Sequence, residues 1–520
     1  MKKNVNRPYT FVPLVLIILA FSALLTWLQT PSRDVTPSAT TDGATTDTAN
    51  TLTASQVDMT KLIAPSEIML ANFHGPLRVY EPNPIWFTDD QGDAIYLTGS
   101  HTWHVMRDIG PSNPPPEMDY DAFLDMMADN NHNFLRFWVW DMLQGVDKNV
   151  YGSDPSWVAP MPWQRVSADT SVEPAVDGNP PFDLTKLDDA YFVRLRERVI
   201  AAGERGIYVG IMLFEGFGGL FHDDGSHPFQ AANNINGIDV GRARGAYNDI
   251  ALNDSEVWAL QLAYVNRVID TVNDLDNVMY EISNETHNES VNWQYALIHH
   301  INDYQASKPK QHLVGITFMP GDSYSSADTN NNLLYDSPAD WVSPRQRDGE
   351  DWRNNVPPAG NTGGKIVLLD TDHLGPMWDL PSWTWRTFIR GHHPILMDPW
   401  NTLDTLQDDV PMESLNLLRL SMGQTRRYAA RLELGTLSPQ PQLASSRYAL
   451  ASDREYLVFA RGGDNITVNL ENTPGQLNYE WFDWQADEVV STGQVEGGSS
   501  VTIDKPISGS AIIYLWAVNE

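Results

Sequence analysis

Val278-Met279-Tyr280-Glu281-Ile282-Ser283-Asn284-Glu285-Thr286-His287 decides how the rest of the chain is read. An apolar, β-capable run stops at Asn284-Glu285 and a helical pattern follows, so a carboxylate is placed at the C-terminal tip of a strand. Catalytic groups occupy that position in parallel α/β barrels. On its own the pair could equally be the solvated start of a helix, so its weight depends on whether the pattern recurs.

It recurs along most of the chain. Working outward, β-type runs occur at 94–99, 133–140, 207–214, 278–284, 313–318, 339–343, 365–373 and 394–400. Helical patterns alternate with them: Asp119 to Asn130, Leu184 to Arg205 closed by Gly206, Ser255 to Asn273 capped by Asp254, and Met412 to Leu434 stopped by Gly435. Eight such repeats predict an α/β fold of the (β/α)8 type rather than an open sheet. A strand–turn–strand pattern precedes the first barrel strand, the long connection 141–182 is expected to wall the active site, and 216–253 is a second long loop. After Gly435 the hydrophobic period changes to two, with Gly, Asn and Pro turns, which predicts a small antiparallel β-sandwich over 436–520.

The N-terminus is different in kind. Lys2, Lys3 and Arg7 precede an uncharged apolar run from Phe11 to Leu28, which reads as a membrane anchor or signal peptide over residues 1–29. Residues 30–55 are Thr, Ser, Ala and Asp-rich and form an expected tether, leaving 56–435 for the barrel. The positive end stays in the cytoplasm, so everything beyond is expected to be exported, anchored or else secreted after cleavage. A formal net charge of −33 disfavours nucleic acid as a partner, because phosphates would be repelled. The absence of cysteine excludes disulfides and thiolate-ligated metals. Eighteen tryptophans suit a cleft that stacks on sugar rings, although ordinary packing accounts for most of any such set.

With the Asn284-Glu285 tip, an Arg136 within an apolar strand, and the acidic end Asp370-Thr371-Asp372-His373 of the seventh run, the chain resembles the retaining (β/α)8 glycoside hydrolases. More closely it resembles an apiosidase-like, cellulase-type branch whose members carry a C-terminal β-domain labelled collagen-binding. The resemblance covers roughly Arg78 to the C-terminus. It implies a glycosidase with Glu285 as general acid/base, a nucleophile from the seventh strand, Arg136 orienting the carboxylates, and Asn284 on the sugar 2-hydroxyl. Retaining chemistry places the two carboxyls about 5–5.5 Å apart. Strand alternation puts Asp370 and Asp372 on one face, and the reading assigns Asp372 as nucleophile with Asp370 supporting it. The usual nucleophile is Glu, so the shorter Asp is a departure from the pattern.

Around this pair, His101, His287 and His373 follow strand ends and are candidates for contacting sugar or orienting carboxylates. Trp103, Trp138, Trp378 and Trp400 are candidate stacking platforms, with core packing competing for each. Glu281 points inward and deeper, where pairing with Arg136 is the expected role. No metal or other cofactor is expected: His-Glu-x-x-His does not occur, and the pairs His299-His300 and His392-His393 have diverging side chains. The expected substrate is an extracellular poly- or oligosaccharide. The alternative is a membrane-tethered carbohydrate-binding protein without chemistry, which has no need of two acidic strand tips.

Overall fold

In the computed structural model, residues 73–144, 156–168, 171–218, 225–320, 331–345, 364–374, 381–400 and 411–518 are described. The expected anchor and tether, and Trp378, lie outside them. Among the described residues no helix is long and apolar enough to cross a membrane.

Eight parallel strands close into a barrel: Gly99–His101, Phe134–Phe137, Tyr208–Glu215, Val278–Asn284, Val314–Thr317, Trp341–Ser343, Ile366–Asp370 and His393–Met397. Each pairs with the next in chain order, and the eighth returns to the first. This is the expected (β/α)8 barrel. Its helices start where carboxylates cap them: Asp119 accepts from the Ala122 N–H, Asp188 from Ala190, and Asp254 from Glu256 and Val257.

Several boundaries differ from the sequence reading. The first barrel strand begins only at Gly99, because Ile95 is bonded antiparallel to Phe87 of the preceding hairpin. Leu184 belongs to a strand, Phe182–Leu187, paired with Trp163–Arg165, and the helix runs from Asp189 to Glu204. The apolar period continues across both elements, and the Asp188 cap marks where one becomes the other. The last barrel helix is Met412–Ala429, short of Gly435, since Leu432 and Leu434 turn inward against the sandwich. The seventh strand stops at Asp370, whose Oδ1 accepts the Asp372 N–H at 2.9 Å and starts a helical turn, Thr371–Leu374.

Alternation along the strands sorts the barrel interior into layers. Leu97, Phe134, Met279, Ile366, Leu368 and Ile395 form an apolar floor, joined by Leu77 and Phe87 of the N-terminal hairpin. Two residues further along three of these strands stand Arg136, Glu281 and Asp370, and His101 stands four beyond Leu97, all buried. Charge therefore appears one layer above the floor, toward the C-terminal mouth.

The C-terminal region is a six-stranded antiparallel sheet facing a two-stranded one, Asn465–Asn469 with Ser500–Asp504. Tyr456, Val458, Ile513 and Leu515 pack toward the small sheet, while Leu457, Phe459, Ile512 and Tyr514 pack on Trp385, Phe388 and Tyr428 of the barrel. The central strands of the large sheet are thus buried on both faces, and barrel and sandwich belong to one compact unit.

Candidate active site

Arg136 is the hub of the polar layer. Its guanidinium grips Glu281 through two bonds of 2.8 and 2.6 Å, and donates to Asp370 at 3.1 Å, Asp372 at 3.2 Å and Asn284 Oδ1 at 2.6 Å. A buried Arg needs such partners, and three carboxylates surround this one. Glu281 lies where expected, deep and paired with Arg136. The Trp138 ring lies against the guanidinium at 4.9 Å and stacks on His101 at 5.3 Å. At 2% exposure Trp138 packs the polar layer, the core-packing alternative to a stacking platform.

The two seventh-strand carboxyls differ sharply. Asp370, 1% exposed in its side chain, takes His101 Nε2 at 2.9 Å, Arg136 and the Asp372 N–H. Burial alone would raise its pKa, but the charges of His101 and Arg136 outweigh it and hold Asp370 below the ordinary carboxylate range. Asp372, 13% exposed in its side chain, is pushed up to about 6 by burial, with the Asp370 charge adding and Arg136 opposing. The two were expected to share a strand face. Asp372 is instead in the helical turn, and it reaches Arg136 because the chain bends there.

Glu285 follows the fourth strand with φ 44°, a left-handed conformation that a residue with a Cβ seldom adopts and that functional sites tend to store. A carboxylate oxygen of Glu285, one of Asp372 and a ring nitrogen of His373 all lie within 4.8 Å of one another. By donor type this set could take a divalent cation. The Arg136 guanidinium supplies positive charge to Asp372 at 3.2 Å.

Hydrogen-bond chemistry fixes the orientation of Asn284. Arg136 can only donate, so the atom it meets is Oδ1, and His373 Nε2, 3.2 Å from the same oxygen, must donate as well. His373 Nδ1 then accepts from Ser343 Oγ at 2.9 Å. Burial, with Arg136 adding, keeps this imidazole neutral by pulling its pKa well down. His287 caps the turn after Glu285, its Nδ1 accepting the Glu289 N–H. Trp103 is partly buried against the main core, and Trp400 lies 5.8 Å from Phe123, so neither is as enclosed as Trp138.

Two residues of this neighbourhood were not singled out from sequence. Glu215, at the tip of the third strand, is fully buried, and its carboxylate accepts the N–H groups of Phe217 at 2.7 Å and Gly218 at 3.0 Å. Burial above all, reinforced by Asp141, pushes its pKa up to about 8. Asp141 accepts the Glu215 N–H at 2.9 Å and is itself held by Arg107 and Tyr247. The signal for Glu215 was present: an apolar run ended by an acid, as at Glu285.

No protein-family model and no curated protein sequence matches the chain. Among solved structures it is similar to a glycoside hydrolase at 12% identity and TM-score 0.53, over 85% of this chain and 97% of that one. It is likewise similar to a glycoside hydrolase family 5 protein from Bacteroides vulgatus, at 12% identity and TM-score 0.54, over 85% and 93%. At these identities the likeness establishes the shared barrel fold.

Proposed function

We propose that this protein is a retaining glycoside hydrolase, with Glu285 as general acid/base and Asp372 as nucleophile, acting on a poly- or oligosaccharide outside the cytoplasm. The observation that carries the reading is the placement of Glu285 and Asp372, just beyond the ends of the fourth and seventh strands, with a carboxylate oxygen of each within 4.8 Å of the other. A retaining pair needs about 5–5.5 Å, whereas an inverting pair leaves about 6.5–9.5 Å for a water. Asp372 suits the nucleophile better than Asp370, whose oxygens are occupied by His101, Arg136 and a backbone N–H. Arg136 and the neutral His373 hold Asn284 so that its amide nitrogen is left for the sugar 2-hydroxyl. The similarity in fold to glycoside hydrolases supports the reaction class. The apolar run from Phe11 to Leu28 supports export on an anchor.

In the cycle that this geometry supports, Asp372 Oδ attacks the anomeric carbon while protonated Glu285 gives its proton to the departing glycosidic oxygen. The glycosyl–Asp372 ester is then cleaved by a water whose proton returns to Glu285. Arg136 stays against Asp372 and steadies the carboxylate when it is released. The test is a panel of 4-nitrophenyl glycosides and plant and algal oligosaccharides with wild type, Glu285→Gln and Asp372→Ala. Glu285→Gln should lose turnover of poor leaving groups by about 100-fold or more, and azide should restore part of the Asp372→Ala activity as a glycosyl azide. Rescue of Asp370→Ala instead would exchange the two aspartates, and an inverted anomer from wild type would remove the covalent intermediate.

A further inference from the structure

Glu215 has no part in the cycle above, yet it is fully buried beside it and is paired across the strands with Asn284, which Arg136 and His373 both orient. The third and fourth strands pair with Asn284 opposite Glu215, and the Gly216 N–H donates to the Asn284 carbonyl at 2.9 Å. Gly216 is required there: a Cβ would come within 2.7 Å of the Thr286 Cα, so the turn after Glu215 lies directly on the turn that carries Glu285. The Asn284 side chain lies close enough to the Glu215 carboxyl to lower its pKa.

The donor inventory makes this contact specific. Asn284 Oδ1 takes hydrogens from Arg136 and His373, so the amide nitrogen is the group left to face Glu215 across the paired strands, with one of its two hydrogens directed at that carboxyl. The other is left to donate to a ligand. Turning the amide over would set N–H against the Arg136 and His373 donors. Glu215 is itself held by the Phe217 and Gly218 N–H groups and by the Asp141 bond to its own backbone. It does not reach the mouth and can act only through Asn284.

We propose that Glu215 is a positioning residue for substrate recognition: by accepting one Asn284 N–H it aims the other at a sugar hydroxyl beside the scissile bond. The proposal rests on the glycosidase reading. It assigns Asn284 as a donor, so the recognised atom is a hydroxyl oxygen acting as acceptor, and the hydroxyl next to the anomeric carbon is the one that a residue adjoining Glu285 can reach.

The experiment takes the 4-nitrophenyl glycoside that wild type cleaves fastest and its 2-deoxy counterpart, and compares kcat/KM for the two. Glu215→Ala should lower the ratio of parent to 2-deoxy turnover by about 10–100-fold, the scale on which small misplacements are felt. Glu215→Gln, which keeps an acceptor oxygen, should hold that ratio within about 3-fold of wild type by the same argument. A purely structural role would depress both substrates together. Should Glu215→Ala fail to fold, Glu215→Met fills the volume without a comparable acceptor and replaces it in the comparison. An unchanged ratio in the acceptor-free variant overturns the proposal while leaving the glycosidase reading intact. A wild type inert across the whole panel overturns that reading and this proposal with it.

Discussion

Asp370 and Asp372 stand two residues apart and meet opposite fates, because His101 and Arg136 together outweigh the burial of the first, whereas burial of the second is reinforced by its neighbour's charge and only partly offset by Arg136. Asp370, depressed, favours the folded state above the ordinary carboxylate pKa, and that contribution is lost as pH falls through its lower folded value. Asp372, raised to about 6, holds its proton more tightly when folded, so its contribution is present in acid and lost as pH rises through that value. As a nucleophile it must be ionised. The acid limb of kcat/KM is therefore expected near pH 6, and Asp372→Glu should move it. A rate profile flat down to pH 4 would show that another group carries the attack.

At the scale of elements, the barrel closes because residues without side chains stand where large ones cross. Gly315 of the fifth strand leaves its inner face to the Trp341 indole of the sixth, and a Cβ there would sit inside that ring. Trp341 is buried in the floor layer together with Phe134 and Met279, so it has no free direction in which to move. Overpacking of this kind costs about 1–3 kcal/mol. Gly315→Ala should lower the urea midpoint accordingly, and Gly315→Ala combined with Trp341→Phe should recover part of the loss. A single variant as stable as wild type would mean that the floor can rearrange.

For the whole molecule, the sandwich closes apolar surface that the barrel could not leave in water. Trp385, Phe388 and Tyr428 pack against Phe459, Phe482 and Tyr514, and Arg431 grips Glu480 through bonds of 2.8 and 3.0 Å. Burying a large apolar side chain contributes about 1.5–3 kcal/mol. Exposing three of them removes an amount comparable with a whole domain's net stability of about 5–15 kcal/mol. Deleting residues 436–520 is therefore expected to give an insoluble or strongly destabilised barrel. A truncation that melts unchanged and loses only affinity for polymer would instead make the sandwich a binding module.

The sequence by itself determined the barrel, its acidic tips and the sandwich, because each is written in a local signal. Apolar runs that end in acid mark strand tips, Asp before a helical period marks a start, and the change to a period of two after Gly435 marks the antiparallel strands. Arg136 and Glu281 could be paired on paper since an inward charge must find a counter-charge. Tertiary structure alone decided which aspartate is left open, why Trp138 is not a platform, and that Glu215 reaches Asn284. Each depends on contacts between remote segments, such as the 234 positions between Arg136 and Asp370. Burial and distance across a closed barrel mouth arise only when all eight strands are in place, and no window of sequence contains them.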